Sequence, residues 1–333
     1  MTAENREKAG EKEREVAKAV EEKVRENELG CIWCGIEKRR EPREMLEHRK
    51  RLMNTFVEEQ AGKFGDKIYH YTSLVAFLGM ITNKKKLWLG NASSMNDKNE
   101  LRDFINNLRN VVIGDNDNPF YEDYERFFAE VTEYLKDHFP YIMSFSRRRD
   151  DAAQWERYAD SAKGLCLAVN TENLAKVLWS LKLPAHMLDV FYDYDPREHQ
   201  FVSIIRDVVE KGRLLGFSSK EGLIDNIVAT AASYKHMSFQ SEDEIRAVIF
   251  SYPGNSNYVT YEYELIRDRL KEFAKIDLGD ACESVGIAIE DLFDGIIVGP
   301  RSEQDIRVLQ KYLSENNFKR LAESIEISEC PLR

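Results

Sequence analysis

Three short stretches carry side chains whose types and spacing could do chemistry. In Ser238–Phe250, Glu242, Glu244 and Arg246 recur at every second position. The second half of that stretch, Ile245–Phe250, is rich in β-branched and aromatic residues and reads as a strand. If the strand begins a little earlier, both carboxylates and the guanidinium share one face. Charged side chains of this kind are almost never fully buried unless paired. The group is therefore either a solvated edge strand with a cross-face ion pair or a catalytic carboxylate held at the mouth of a cleft. Lys67–Thr72 is a second strand, with His70 facing away from Tyr69 and Tyr71. Tyr141–Ser146 is a third and ends in two hydroxyls, Ser144 and Ser146, on one face. Arg147, Arg148 and Arg149 follow at once, a basic cluster fit either for phosphate oxygens or for a solvated loop.

The elements around these stretches set where they can go. Residues 1–28 are dense in Glu, Lys and Arg, with Val16, Val20 and Val24 on one narrow helical stripe. Cys31 and Cys34 have knuckle spacing but lack the second pair that a structural zinc site needs. Glu41–Phe64 has a helical pattern, and Gly65 marks a boundary between an N-terminal extension, 1–65, and a domain spanning 66–333. Ser73 caps a helix after the His70 strand, and Lys86–Leu89 is a short strand. Asn96 and Asp97, with Glu100 three or four residues on, match a capping box. Amphipathic helices follow from Leu101, over Tyr121–Leu135, and over 198–214 and 221–235. Lys163–Val169, His186–Tyr192, Phe293–Pro300 and Ala322–Ile327 read as strands, and Tyr258–Lys275 as a helix. The fold expected is α+β, with a mixed central sheet split around a cleft.

Composition narrows the function. At 43% hydrophobic over 333 residues, the chain can bury a proper core. A formal charge of -11 argues against broad, non-specific binding to nucleic acid. No apolar run spans a bilayer and the first residues are charged, so a cytoplasmic protein away from the membrane is expected. Five thinly spread cysteines suit a reducing compartment. The N-terminal helices are the candidate surface for a partner or a second copy.

Taken together, several motifs resemble the bacterial domain-of-unknown-function family 2971 from about residue 67 onward. They are Tyr69-His-Tyr-Thr72, Met95-Asn-Asp97 with Glu100, Ser144-Phe-Ser146, and Trp155-x-x-Tyr158-Ala-Asp160 with Lys163-Gly164. Phe239-x-x-Glu242-x-Glu244-x-Arg246, Ile297-x-Gly299-Pro300 and Pro331-Leu-Arg333 complete the set. That family implies no established activity; its association is with phage defence and abortive infection. The order His strand, Ser-x-Ser strand, Glu-x-Glu strand is similar, more distantly, to the ADP-ribosyltransferase superfamily. This second resemblance implies NAD as substrate, with Glu244 as the catalytic carboxylate and Glu242 its partner towards a protein or nucleic-acid acceptor. It implies that His70 holds a ribose hydroxyl and that Ser144 and Ser146 line the cleft, with Asn96 counted among the nucleotide-binding residues. Tyr71 or Trp155 would stack on a base, Arg147 or a neighbour would meet the pyrophosphate, and Arg246 would keep Glu244 ionised. The implied activity is ADP-ribosyl transfer or NAD hydrolysis by a defence or toxin-type effector. Two rivals are a non-catalytic module sensing a nucleotide or phage component, and a nuclease-like toxin with a metal on Asp97, Glu100, Glu242 and Glu244.

Overall fold

A computed structural model describes residues 43–332 except 84, 95–99, 115–117, 193–196, 198–199, 215, 218, 252–255, 257 and 267. The segment carrying Val16, Val20, Val24, Cys31 and Cys34, and the caps Asn96 and Asp97, lie outside the described residues. The chain divides into two units. In its described part, the smaller is helical: Glu100–Ile113, Tyr121–Asp137, Gln200–Lys211 and Lys220–Ala232. Its core is the set of apolar residues that recur at helical spacing, among them Phe104, Leu108, Phe127, Val131, Phe201, Ile205, Ile227 and Val228.

The larger unit is built on a sheet. Its described strands are β1 (Lys67–Thr72), β2 (Lys86–Asn91), β3 (Pro140–Ser146), β4 (Leu165–Asn170), β5 (Ala185–Asp189), β6 (Glu244–Phe250), β7 (Val259–Ile266), β8 (Arg269–Asp277), β9 (Phe293–Val298) and β10 (Ile325–Ile327). The order along the sheet is β10-β9-β4-β1-β3-β2-β8-β7, and β6 lies between β3 and β5. The β9–β10 pair is parallel and the other ladders are antiparallel, so the sheet is mixed as expected. Tyr258–Lys275, expected to be helical, is instead most of the β7–β8 hairpin. Its run of Thr260, Glu262 and Glu264 against Tyr261, Tyr263 and Leu265 has a period of two, and Asp268 turns the chain at φ 62.

The opening in the sheet follows from the ladders of β3. One edge of β3 is taken over its whole length by β6, from Pro140↔Phe250 to Ser146↔Glu244. The other edge is shared: β1 meets it at Tyr69↔Ser146, and β2 at Gly90↔Ile142 and Asn91↔Tyr141. Between these joints, β1 and β2 diverge from Met143–Phe145. On the opposite face Ile245, Ala247 and Ile249 enter the main core with Met143, Phe145, Leu167 and Leu178.

A second feature holds the segment just after the helix Ala152–Tyr158. Asp160, Ser161 and Ala162 are consecutive left-handed residues, with φ 50, 54 and 70. L-residues resist that conformation by about 1–2 kcal/mol each. It persists because its backbone is tied on both sides: Ala162 N–H donates to Trp155, and Arg301 N–H to Ala162. The glycines of two sequence motifs allow the close approach. A Cβ on Gly164 would stand 2.2 Å from the Thr72 carbonyl, and one on Gly299 2.4 Å from that of Ala162.

Candidate functional site

β6 is no solvated edge strand. It is paired on both sides and all seven of its residues are buried. Period two puts Glu244 and Arg246 on one face, as expected. Glu242, however, precedes the strand, at the end of a 3-10 turn (Met237–Glu242). The left-handed Asp243, φ 48, brings its carboxylate back beside Glu244.

These charges form one buried cluster. Glu242 is 2% and Glu244 4% exposed, Arg246 1% and Lys235 6%, so each charge must be met by another. Arg246 Nε donates to Glu244 Oε1 at 2.9 Å and its Nη2 to Oε2 at 3.3 Å. Lys235 Nζ bridges the two carboxylates, 2.5 Å from Glu242 Oε2 and 2.9 Å from Glu244 Oε2. Glu242 Oε1 accepts from Arg157 Nη1 and from the Tyr158 hydroxyl, each at 2.8 Å. Phe239 offers its ring to Lys235 at 4.9 Å and to Arg157 at 5.9 Å, which accounts for the aromatic in the Phe-x-x-Glu-x-Glu-x-Arg motif. Burial opposes ionisation of Glu244, but Arg246 and Lys235 outweigh it and hold the carboxyl down at about 2. The nearby Ser144 hydroxyl adds to the lowering. Burial opposes the Lys235 charge too, and the two glutamates reverse that, so its ammonium is held above the ordinary lysine value.

The cluster backs onto a cleft of about 230 Å³ at the divergence of β1 and β2 from β3. Its walls include Tyr69, His70 and Tyr71 from β1, Trp88 from β2, Ser144 from β3, and Gln154, Tyr158, Glu242 and Glu244. His70 does what a ladder bond would otherwise do, since its Nδ1 lies 2.9 Å from the Ser144 carbonyl. A nitrogen facing a carbonyl carries the proton. Burial lowers the His70 pKa below its ordinary value, so the neutral ring keeps Nε2 as an acceptor.

Other expected residues sit elsewhere. Trp155 is 0% exposed, its indole N–H bound to Asp150, so it has no face for a base. Tyr71 reaches the cleft wall, but it packs edge-on against Trp155 at 4.9 Å and donates its hydroxyl to the Arg148 carbonyl. Ser146 is turned away from the cleft; its hydroxyl donates to the Glu242 carbonyl at 2.6 Å and accepts from Arg148 N–H at 3.0 Å. It fixes the turn that delivers Glu242. Each arginine of the basic cluster is already paired: Arg147 with Asp189 and Asp243, Arg148 with Asp151, Arg149 with Glu326. Among the described residues no group of three His, Cys, Asp or Glu is placed to hold a metal. Glu242 and Glu244 spend their oxygens on cations of the chain itself.

Sequence reasoning missed Lys235, Arg157, Trp88 and Gln154, and saw Tyr158 only as part of a motif. Lys235 had a weak signal, a basic residue closing a helix directly before the Glu-x-Glu stretch. Arg157 had none, because its partner lies 85 residues away. Among the described residues no helix is long and apolar enough to cross a membrane.

A family model described as "Protein of unknown function (DUF2971)" matches residues 154–247. No curated protein and no solved structure matches the chain. The resemblance to DUF2971 thus covers all the charged residues of the buried cluster, Arg157, Lys235, Glu242, Glu244 and Arg246, while His70 and Ser144 lie before it.

Proposed function

We propose that the protein consumes NAD, as an ADP-ribosyltransferase or NAD glycohydrolase, in the defence or toxin setting implied by the DUF2971 resemblance. The observation that carries this reading is that His70, Ser144 and Glu244, from three separate strands, line one cleft. The cavity is smaller than the roughly 300–1,000 Å³ of most ligand pockets. It suits the nicotinamide and its ribose, with the rest of the dinucleotide outside. In the reaction the bond from C1′ to the nicotinamide nitrogen breaks and its electron pair leaves with neutral nicotinamide. Positive charge builds on the ribose, as in glycoside cleavage. Glu244, ionised and already in place, faces that charge. Nε2 of neutral His70 accepts a hydrogen bond from a ribose hydroxyl. Water or an acceptor then bonds to C1′ and gives up a proton to solvent water, with Glu242 on the acceptor side.

The test is nicotinamide release from NAD by the purified chain. Glu244→Gln is expected to lower it by about a hundredfold or more. That substitution also strips a partner from Arg246 and Lys235, so His70→Asn, outside the ion cluster and still able to donate to the Ser144 carbonyl while lacking Nε2, is the cleaner variant. It should lose turnover with little change in melting temperature. Equal release from wild type and Glu244→Gln, or none from wild type with a broad panel of acceptors, ends the enzymatic reading.

One observation favours a second reading, a non-catalytic sensing module. All four oxygens of Glu242 and Glu244 already have partners within the chain. On that reading Glu244→Gln lowers the melting temperature, while NAD is bound or ignored without being cleaved.

A further inference from the structure

Glu242 is covered unevenly. Its Oε2 faces Lys235, whose side chain is 8% exposed. Its Oε1 faces Arg157, with a side chain 43% exposed, and Tyr158, which is 38% exposed and lines the cleft. Arg157 and Tyr158 end a seven-residue helix whose backbone is pinned from behind. Ala159 and Ala162 N–H donate to the Trp155 carbonyl, and the left-handed stretch follows. The helix end is therefore a fixed platform, and the two side chains on it border solvent, held by their bonds to Glu242 and, for Arg157, by the Phe239 ring. Any group that works with Glu242 must take a position on one of its oxygens. Lys235 is enclosed and shared with Glu244, so it stays; Oε1 is the oxygen that can be vacated.

We propose that Arg157 and Tyr158 are a displaceable latch on Glu242 Oε1, which swings away when a ligand takes that position; on the transfer reading that ligand is the acceptor. The position is already filled by two donors, a guanidinium and a hydroxyl, so what replaces them is a donor as well. The acceptor class is a nucleophile bearing a hydroxyl, amine or guanidinium, and it displaces like by like. This acceptor assignment rests on the transfer reading above; the latch itself does not.

Two measurements separate them. The first is carbodiimide labelling of carboxyl groups with a small amine, located by mass spectrometry. Wild type should protect both glutamates. Arg157→Ala should raise labelling of Glu242 several-fold and leave Glu244 protected, with Tyr158→Phe giving a smaller rise. Equal labelling of Glu242 in wild type and both variants overturns the latch, and so does exposure of Glu244 together with Glu242, which reports loosening of the whole cluster. The second is transfer from NAD to a simple alkyl guanidine or amine. Arg157→Ala should lower the acceptor KM several-fold and leave the NAD KM unchanged. An acceptor KM that is unchanged or raised overturns the acceptor assignment. If labelling shifts as expected and neither protein releases nicotinamide, the latch stands, and the NAD reading fails together with the acceptor assignment.

Discussion

The larger unit contains two Glu-x-Glu pairs, and each clasps a buried lysine. Glu242 and Glu244 hold Lys235; Glu262 and Glu264, on β7, hold Lys275. Lys275 is 0% exposed and its Nζ stands 3.8 Å from the Trp88 ring centroid, on the same strand-pair face, so the second cluster buttresses a wall of the cleft. Glu244 and Glu262 are both held at about 2, for different reasons. For Glu244 burial pushes the other way and is overcome by Arg246 and Lys235. For Glu262 the leading causes are hydrogen bonds from Lys275 and Lys86. The side chains of Glu262 and Glu264 are 32% and 30% exposed, against 2% and 4% for Glu242 and Glu244. Water can take over from a lost partner in the hairpin cluster and cannot on the enclosed Lys235 side of the cleft cluster. The same sequence motif is thus a half-solvated brace in one place and a committed, preorganised charge array in the other.

The largest effect that would break this comparison is in the lysines. Lys235→Met leaves two buried carboxylates short of a cation, and urea unfolding should show a loss of about 3–5 kcal/mol. Lys275→Met leaves carboxylates that can hydrate, with Met still able to pack on Trp88, and the loss should be about 1 kcal/mol or less. Equal losses would mean that the two clusters are not different in kind.

Acid should separate them next. Both glutamates have folded values depressed from 4.5 to about 2. Between those values the unfolded chain binds more protons, so stability falls as pH falls. The contribution is whole above about 4.5 and gone once pH passes below about 2. In denaturant titrations across that window, Glu262→Gln should flatten the slope more at low salt than at molar salt, because its half-solvated pairs are partly screened. Glu244→Gln should flatten it at both. The smallest expected effect is Glu262→Gln at neutral pH, a loss of about 0.5–1 kcal/mol in urea unfolding, since Lys275 keeps Glu264.

The strands carrying His70, Ser144 and Glu244 were legible because β-branched and aromatic runs bounded by polar turns carry a local signal. The Ser73 cap and the amphipathic helices were legible for the same reason: capping and apolar periodicity are set by neighbours three or four positions away. The hairpin of β7 and β8 was misread because its charged residues also fit a helical surface, and the left-handed Asp268 that turns the chain has no side-chain signature strong enough to override that. Trp155 is a stacking candidate only through the resemblance; its burial depends on what closes over it.

What the amino-acid sequence by itself determined is the local part: which segments pair or coil, and that acidic, basic, imidazole and hydroxyl groups recur on strand faces. What tertiary structure alone decided is which of those groups meet. Lys235, Arg157 and Tyr158 reach Glu242 from positions 7, 85 and 84 residues away. Only the left-handed turn at Asp243 and the shared edge of β3 turn those separations into contacts of hydrogen-bond length. The physical reason is range. Backbone preference acts over a few residues, whereas burial of a charge is settled by every element that packs around it.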